Sequence, residues 1–117
     1  MATRVLIVDD HPSFRATARA LLEAEGYEVV GEAENGVTAL RAAAELHPDV
    51  VLLDVQLPDF DGFHVAAQLT VDGAGAAVVL TSSRDAADFG PLISQSGARG
   101  FVPKAELSGG AIATLIR

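Results

Sequence analysis

Five short runs along the chain are apolar with almost no polar alternation: Arg4 to Val8, Tyr27 to Glu32, Val50 to Leu53, Ala77 to Leu80 and Gly100 to Val102. Mostly β-branched or aliphatic, they read as strands, several of them buried on both faces as in a parallel sheet. Between them the spacing changes to that of helices. Phe14, Ala18, Leu21 and Leu22 share one helical face behind Pro12, and Gly26 is placed to end that helix. Val37, Leu40 and Ala44 predict a second face, with Asn35 as its cap and Pro48 as its stop. A third helix is expected from Asp61 or Gly62 to about Thr70, and a last one after Ser108.

Strict alternation of strand and helix implies right-handed crossovers, and so an α/β fold in which helices cover both faces of a doubly wound parallel sheet. No linker or repeat divides the chain, so residues 1–117 are expected to form a single domain. In such a sheet, ligands bind at the carboxyl ends of the strands. There the sequence offers Asp9 and Asp10 after the first strand, Asp54 after the third, Thr81 after the fourth and Lys104 after the fifth.

Composition narrows the chemistry. A chain of 117 residues can bury roughly two thirds of the surface its unfolded form exposes, without metal or disulfide to hold it. The absence of Cys excludes disulfides, thiolate metal sites and cysteine nucleophiles, and a reducing compartment is the simpler expectation. A formal net charge of -8 opposes binding to nucleic acid, which depends on Lys and Arg neutralising phosphates. No apolar run approaches a membrane span, and Val5 to Val8 is too short for a secretory segment. A cytoplasmic location, with neither nucleic acid nor membrane as partner of this chain, is the expectation.

Taken singly, each of these polar residues has an ordinary role. Adjacent acids after a strand usually form a solvated loop or favour a helix start, a lone Lys sits on the surface, and a lone Phe belongs to the core. Brought together, three carboxylates raise one another's pKa and call for a cation. Magnesium suits the set, since it takes one or two carboxylates and keeps waters that phosphate oxygens can replace. A carboxylate can then attack a phosphoryl group, provided the charge on the equatorial oxygens is neutralised. His11, His47 and His64 lie in separate segments and are given helix-start, loop and surface roles, and Asp59 and Asp61 are expected to face water or cap the next helix.

Four ordered motifs are spread along the chain: Val5-Leu6-Ile7-Val8-Asp9-Asp10-His11; Asp54-Val55-Gln56-Leu57-Pro58 with Gly62; Val79-Leu80-Thr81-Ser82-Ser83; and Gly97-Ala98-Arg99-Gly100-Phe101-Val102-Pro103-Lys104. Together they resemble the receiver domains of two-component response regulators. The resemblance implies the flavodoxin-like strand order 2-1-3-4-5. It implies that Asp54 is the phosphoacceptor, that Asp10 and Asp54 ligate magnesium directly, and that Asp9 does so mainly through water. Gln56 would offer its backbone carbonyl to the metal. Thr81 would bond a phosphoryl oxygen, Lys104 would pair with the phosphoryl group, and Phe101 would occupy an aromatic switch position with Thr81. The implied donor is a phosphohistidine on a histidine kinase or phosphotransfer protein, and the implied receiver of the signal is an output protein or domain.

Two features depart from that family's pattern. Ala105 stands after the lysine where Pro is frequent, which predicts a trans peptide. Gly90-Pro91 interrupts the fourth helix, which should be short and begin near Asp88 or after. Among other functions, a haloacid-dehalogenase-like phosphohydrolase requires an acid two residues beyond the nucleophile, where this chain has Gln56. Rossmann-type nucleotide binding requires a glycine-rich turn where Asp9-Asp10-His11-Pro12 stands. A receiver-like scaffold that no longer uses phosphate has no need of clustered carboxylates.

Overall fold

The computed structural model describes residues 2–71 and 75–116. In chain order its elements are β1 (Arg4–Val8), α1 (Pro12–Ala24), β2 (Glu28–Ala33), α2 (Gly36–Leu46), β3 (Val50–Asp54), α3 (Gly62–Val71), β4 (Ala77–Ser82), a 3-10 helix (Ala86–Asp88), α4 (Leu92–Gln95), β5 (Gly100–Pro103), a second 3-10 helix (Lys104–Glu106) and α5 (Gly109–Ile116). The strands form one parallel sheet in the order β2-β1-β3-β4-β5.

The unbroken apolar runs are explained by two cores. Leu6, Val8, Val51, Leu53, Val78 and Leu80 point to one face, where Ala39, Ala43, Val65, Ala66 and Leu69 of α2 and α3 cover them. Val5, Ile7, Val50, Leu52, Val79 and Val102 point to the other, under Ala18 and Leu22 of α1 and Ile112 of α5. Alternate residues of β1, β3 and β4 therefore meet different helices, and neither face of these strands can be polar.

Several element boundaries differ from the sequence pattern for local reasons. β2 starts at Glu28, because Tyr27 closes α1: its N–H bonds Leu22 O at 3.0 Å and that of Gly26, at φ 93°, bonds Glu23 O at 3.2 Å. This double return is favoured by glycine at the left-handed position. Asn35 caps α2 as expected, with its Oδ1 accepting from Thr38 N at 2.9 Å. The buried stripe of α2 is not Val37, Leu40 and Ala44, however. Gly36, Ala39 and Ala43 face inward, Leu40 is half-buried, and Val37 is 47 % exposed. A Cβ on Gly36 would come within 2.8 Å of the Phe60 ring, so close approach to the next layer, and not side-chain size, sets the rotation of this helix. As predicted, α4 is reduced to four residues, with Gly90 at φ 56° ahead of it.

Candidate functional site

Strand order brings the polar residues together. β3 lies between β1 and β4, and Asp54 is paired directly with Thr81. Both residues are the closing part of a strand, not the loop after it, so their positions are fixed by sheet hydrogen bonds. Asp9 follows β1, and its N–H bonds Ala33 O at 3.0 Å. The Arg15 guanidinium donates to Asp9 O at 2.6 Å and to Glu32 Oε1 at 3.0 Å, tying the turn to β2. Lys104 enters from the end of β5, and the peptide bond after it is trans.

The centre of the cluster is buried: Asp9 is 0 % exposed and Asp54 3 %. Lys104 Nζ lies 2.6 Å from Asp9 Oδ2 and 3.4 Å from Asp54 Oδ2, and 4.4 Å from the centroid of the Phe14 ring. Asp54 Oδ1 accepts from Gln56 N at 3.1 Å. Asp9 Oδ1 accepts from His11 N at 2.8 Å. Its Oδ2 is buried without a hydrogen-bond donor, because the short approach of Lys104 has ionic contact but not hydrogen-bonding geometry.

These contacts split the two buried acids. Burial drives the Asp54 pKa up and, with the neighbouring Asp9 charge, carries it to about 6 against the opposing Gln56 amide and Lys104. Burial also acts to raise Asp9, but the Lys104 ammonium and the two His11 donors outweigh it and hold that carboxyl below the usual range. Carboxyl oxygens of Asp9, Asp10 and Asp54 and a ring nitrogen of His11 all lie within 4.8 Å of one another. A fully buried carboxylate oxygen that makes no hydrogen bond and is met only by the Lys104 ammonium, beside two further acids, fits a hard divalent cation with oxygen ligands.

Thr81 is brought to the site, but its hydroxyl is turned away. Oγ1 donates to Val102 O at 2.7 Å, toward β5. Phe101 is half-buried, and its ring lies 5.7 Å from that of Phe89, which in turn meets Phe63 at 5.6 Å. Asp10 and Gln56 lie at the solvent edge. Three contributors had no separate signal in the sequence. His11 approaches the acids through its ring, Phe14 faces Lys104, and Asp59 caps α2, accepting from Gly36 N at 2.7 Å and Val37 N at 3.0 Å. Asp61 does cap the following helix, accepting from His64 N at 2.8 Å. The Asp59 contact spans 23 positions, beyond any local capping pattern.

Residues 5–115 match the family model described as the response regulator receiver domain. The chain is 42% identical over 106 residues to the virulence transcription regulator BvgA of Bordetella pertussis, covering 91% of this chain and 51% of that protein. It is 35% identical over 104 residues to the chemotaxis protein CheY of Bacillus subtilis, covering 89% and 87% respectively. Among solved structures, the signal receiver domain of NarL from Mycobacterium tuberculosis superposes with a TM-score of 0.86 at 35% identity, covering 97% of this chain and 96% of that one. The chain spans about half the length of the transcription regulators it matches.

Proposed function

The chain belongs to the response regulator receiver domain family of two-component signalling, and from that premise we propose that Asp54 accepts a phosphoryl group from a phosphohistidine on a histidine kinase or phosphotransfer protein. The observation that carries this reading is a buried carboxylate at a strand end with Lys104 Nζ 3.4 Å away and two more acids at its side. An Asp54 carboxylate oxygen attacks phosphorus, the phosphorus–nitrogen bond to the donor imidazole breaks, and that imidazole keeps the electron pair and takes a proton. Water attack on the aspartyl phosphate later returns the carboxylate and inorganic phosphate. The domain thus catalyses only its own phosphorylation and dephosphorylation.

Asp10 and Asp54 would hold a magnesium ion directly, Asp9 mainly through water, and Gln56 through its backbone carbonyl. When bound, the ion supplies positive charge beside the phosphoryl oxygens. Lys104, now shared between Asp9 and Asp54, supplies the second positive charge, and Phe14 keeps its ammonium over the site. Incubation with acetyl phosphate and magnesium should add one phosphoryl mass to the protein and none to Asp54→Asn. Incorporation in that variant at the wild-type level would overturn the assignment.

The signal leaves through Thr81 and Phe101. Thr81 Oγ1 exchanges Val102 O for a phosphoryl oxygen, and Phe101 turns inward behind it. Carrying a two-state equilibrium from 1:99 to 99:1 needs about 5.5 kcal/mol of differential interaction. One charge-assisted hydrogen bond supplies roughly 1.5–3 kcal/mol, so Lys104 and the metal contribute as well. Phe89 packs against Phe101 from the segment ahead of α4, so that segment must move. Beryllofluoride, a phosphoryl mimic, should change amide exchange between Ser82 and Phe101 in the wild type. Thr81→Ala should bind the mimic without that change; an identical exchange response in both would remove Thr81 from the pathway.

Among the described residues no helix is long and apolar enough to cross a membrane. We place the domain in the cytoplasm, signalling to an output protein or domain. BvgA is named for transcription, but nucleic acid is not a partner we assign to these 117 residues with their net charge of -8.

A further inference from the structure

The carboxylate cluster has a nitrogen in it. His11 Nδ1 lies 2.8 Å from Asp9 Oδ1 and 3.2 Å from Asp10 Oδ1. His11 is the residue before α1, yet its side chain makes no capping hydrogen bond to that helix. Ring and helix are thus uncoupled, whereas side chains at this position usually serve the first turn. Instead the backbone, at φ -96° and ψ 108° ahead of Pro12, turns the imidazole back over the acids. An extended conformation is what a following proline enforces. The ring is 63 % exposed, so no packing holds it there. A second observation is independent of the ring: Asp9 Oδ2, wholly buried, has no hydrogen-bond partner and is met only by the ionic approach of Lys104 Nζ at 2.6 Å.

We infer that His11 is a nitrogen ligand of the divalent-ion site, which gives the site an affinity for borderline ions such as Co2+ and Zn2+ that three carboxylates alone would not. The inference rests on the reading that Asp9, Asp10 and Asp54 hold a divalent ion. Ligation replaces the contact of Nδ1 with Asp9 by a bond to the metal, in the tautomer that carries its proton on Nε2, and no covalent chemistry is involved. Imidazole favours the later first-row ions, while magnesium is hard, prefers oxygen and gains little from it. His11 therefore adds a preference for the later ions to whatever the acids provide.

The test is calorimetric titration of the protein with Mg2+ and with Co2+, together with the visible bands of bound Co2+, for the wild type, His11→Ala, His11→Asn and Asp10→Ala. Asparagine keeps a short amide donor that reaches Asp9 but offers the metal no nitrogen lone pair. Even outer partners of a ligand are worth about 10–100-fold in metal affinity, so both His11 variants should lose at least about tenfold for Co2+. Their Mg2+ affinity should stay near that of the wild type, and the Co2+ bands should shift. Unchanged Co2+ affinity and bands in both variants would overturn the inference. So would a loss in His11→Ala equal for the two ions and restored in His11→Asn, which is the signature of a residue that only orients Asp9. Wild-type protein that binds neither ion, or Asp10→Ala that binds both undiminished, would overturn the carboxylate site itself.

Discussion

Asp54→Asn should make the metal-free protein more stable, by about 3 kcal/mol at pH 8, even though it removes the proposed phosphoacceptor. Burial first, and the nearby Asp9 charge with it, raise the Asp54 pKa to about 6 from its ordinary value of 3.8. At about 1.4 kcal/mol per pKa unit, that is the free energy by which the folded state disfavours the ionised acid. The sign follows from proton binding. Between about pH 4 and pH 6 the native state holds a proton on Asp54 that the unfolded chain has released, so stability falls as pH rises through this window and levels off above it. Asparagine does not titrate and keeps an oxygen for the Gln56 N–H. The gap between variant and wild type should therefore be near zero at pH 4, open through pH 6 and stay constant to pH 8. Magnesium should close it at pH 8 by stabilising only the protein with an intact cluster; a ligand at 100 times its Kd adds about 2.7 kcal/mol. Urea unfolding at three pH values, with and without magnesium, measures all of this. A variant no more stable than the wild type at pH 8, or a gap that is the same at pH 4, would mean that Asp54 is not under electrostatic strain.

Legibility in the sequence followed the range of the interactions. The sheet was readable because its inner strands β1, β3 and β4 are buried on both sides, which leaves runs such as Val50 to Leu53 without a polar residue. Its order came from the resemblance to receiver domains. Proline and glycine gave the end of α1 and the shortening of α4, since both act through local backbone geometry. The rotation of α2 was not readable. Small residues carry weak periodicity, and what turns Gly36 inward is the Phe60 ring from a distant loop. Asp9, Asp54 and Lys104 were legible as neighbours from their strand-end positions, and they meet. The side-chain directions were not. Nothing in the segment around Thr81 announces that its hydroxyl bonds Val102 O, and nothing around His11 separates a helix-start residue from one that turns onto the acids.

Such a site leaves no slack in the backbone that carries it, and Gly62→Ala should expose this. Gly62 opens α3, and its N–H bonds Val55 O at 2.6 Å, so the chain returns against the strand end it has just left. A Cβ there would run into Asp54 O and sit 2.7 Å from Val55 Cα and 3.0 Å from Asp54 C. All three are backbone atoms, with no rotamer to yield. Asp54 is also pinned by its pairing with Thr81, and Val55 N bonds Thr81 O at 3.0 Å. Relief must come from moving the first turn of α3 outward or from displacing the peptide that follows Asp54. Overpacking costs typically 1–3 kcal/mol, and with only backbone to yield we expect about 3 kcal/mol here. For a domain of this size that lowers the melting temperature by about 10–20 °C. Below that temperature the variant should still take up phosphoryl from acetyl phosphate more slowly than the wild type, because the oxygens of Asp54 no longer lie where Lys104 and the acids meet. Gly110→Ala in α5 is the matched control. A Cβ there meets nothing nearer than Ser108 Oγ at 3.9 Å, and alanine in place of a helical glycine should stabilise by about 0.5–1 kcal/mol. Melting curves of the two variants should move in opposite directions; if Gly62→Ala melts with Gly110→Ala and labels at the wild-type rate, the approach of α3 to Asp54 is not what holds the site in place.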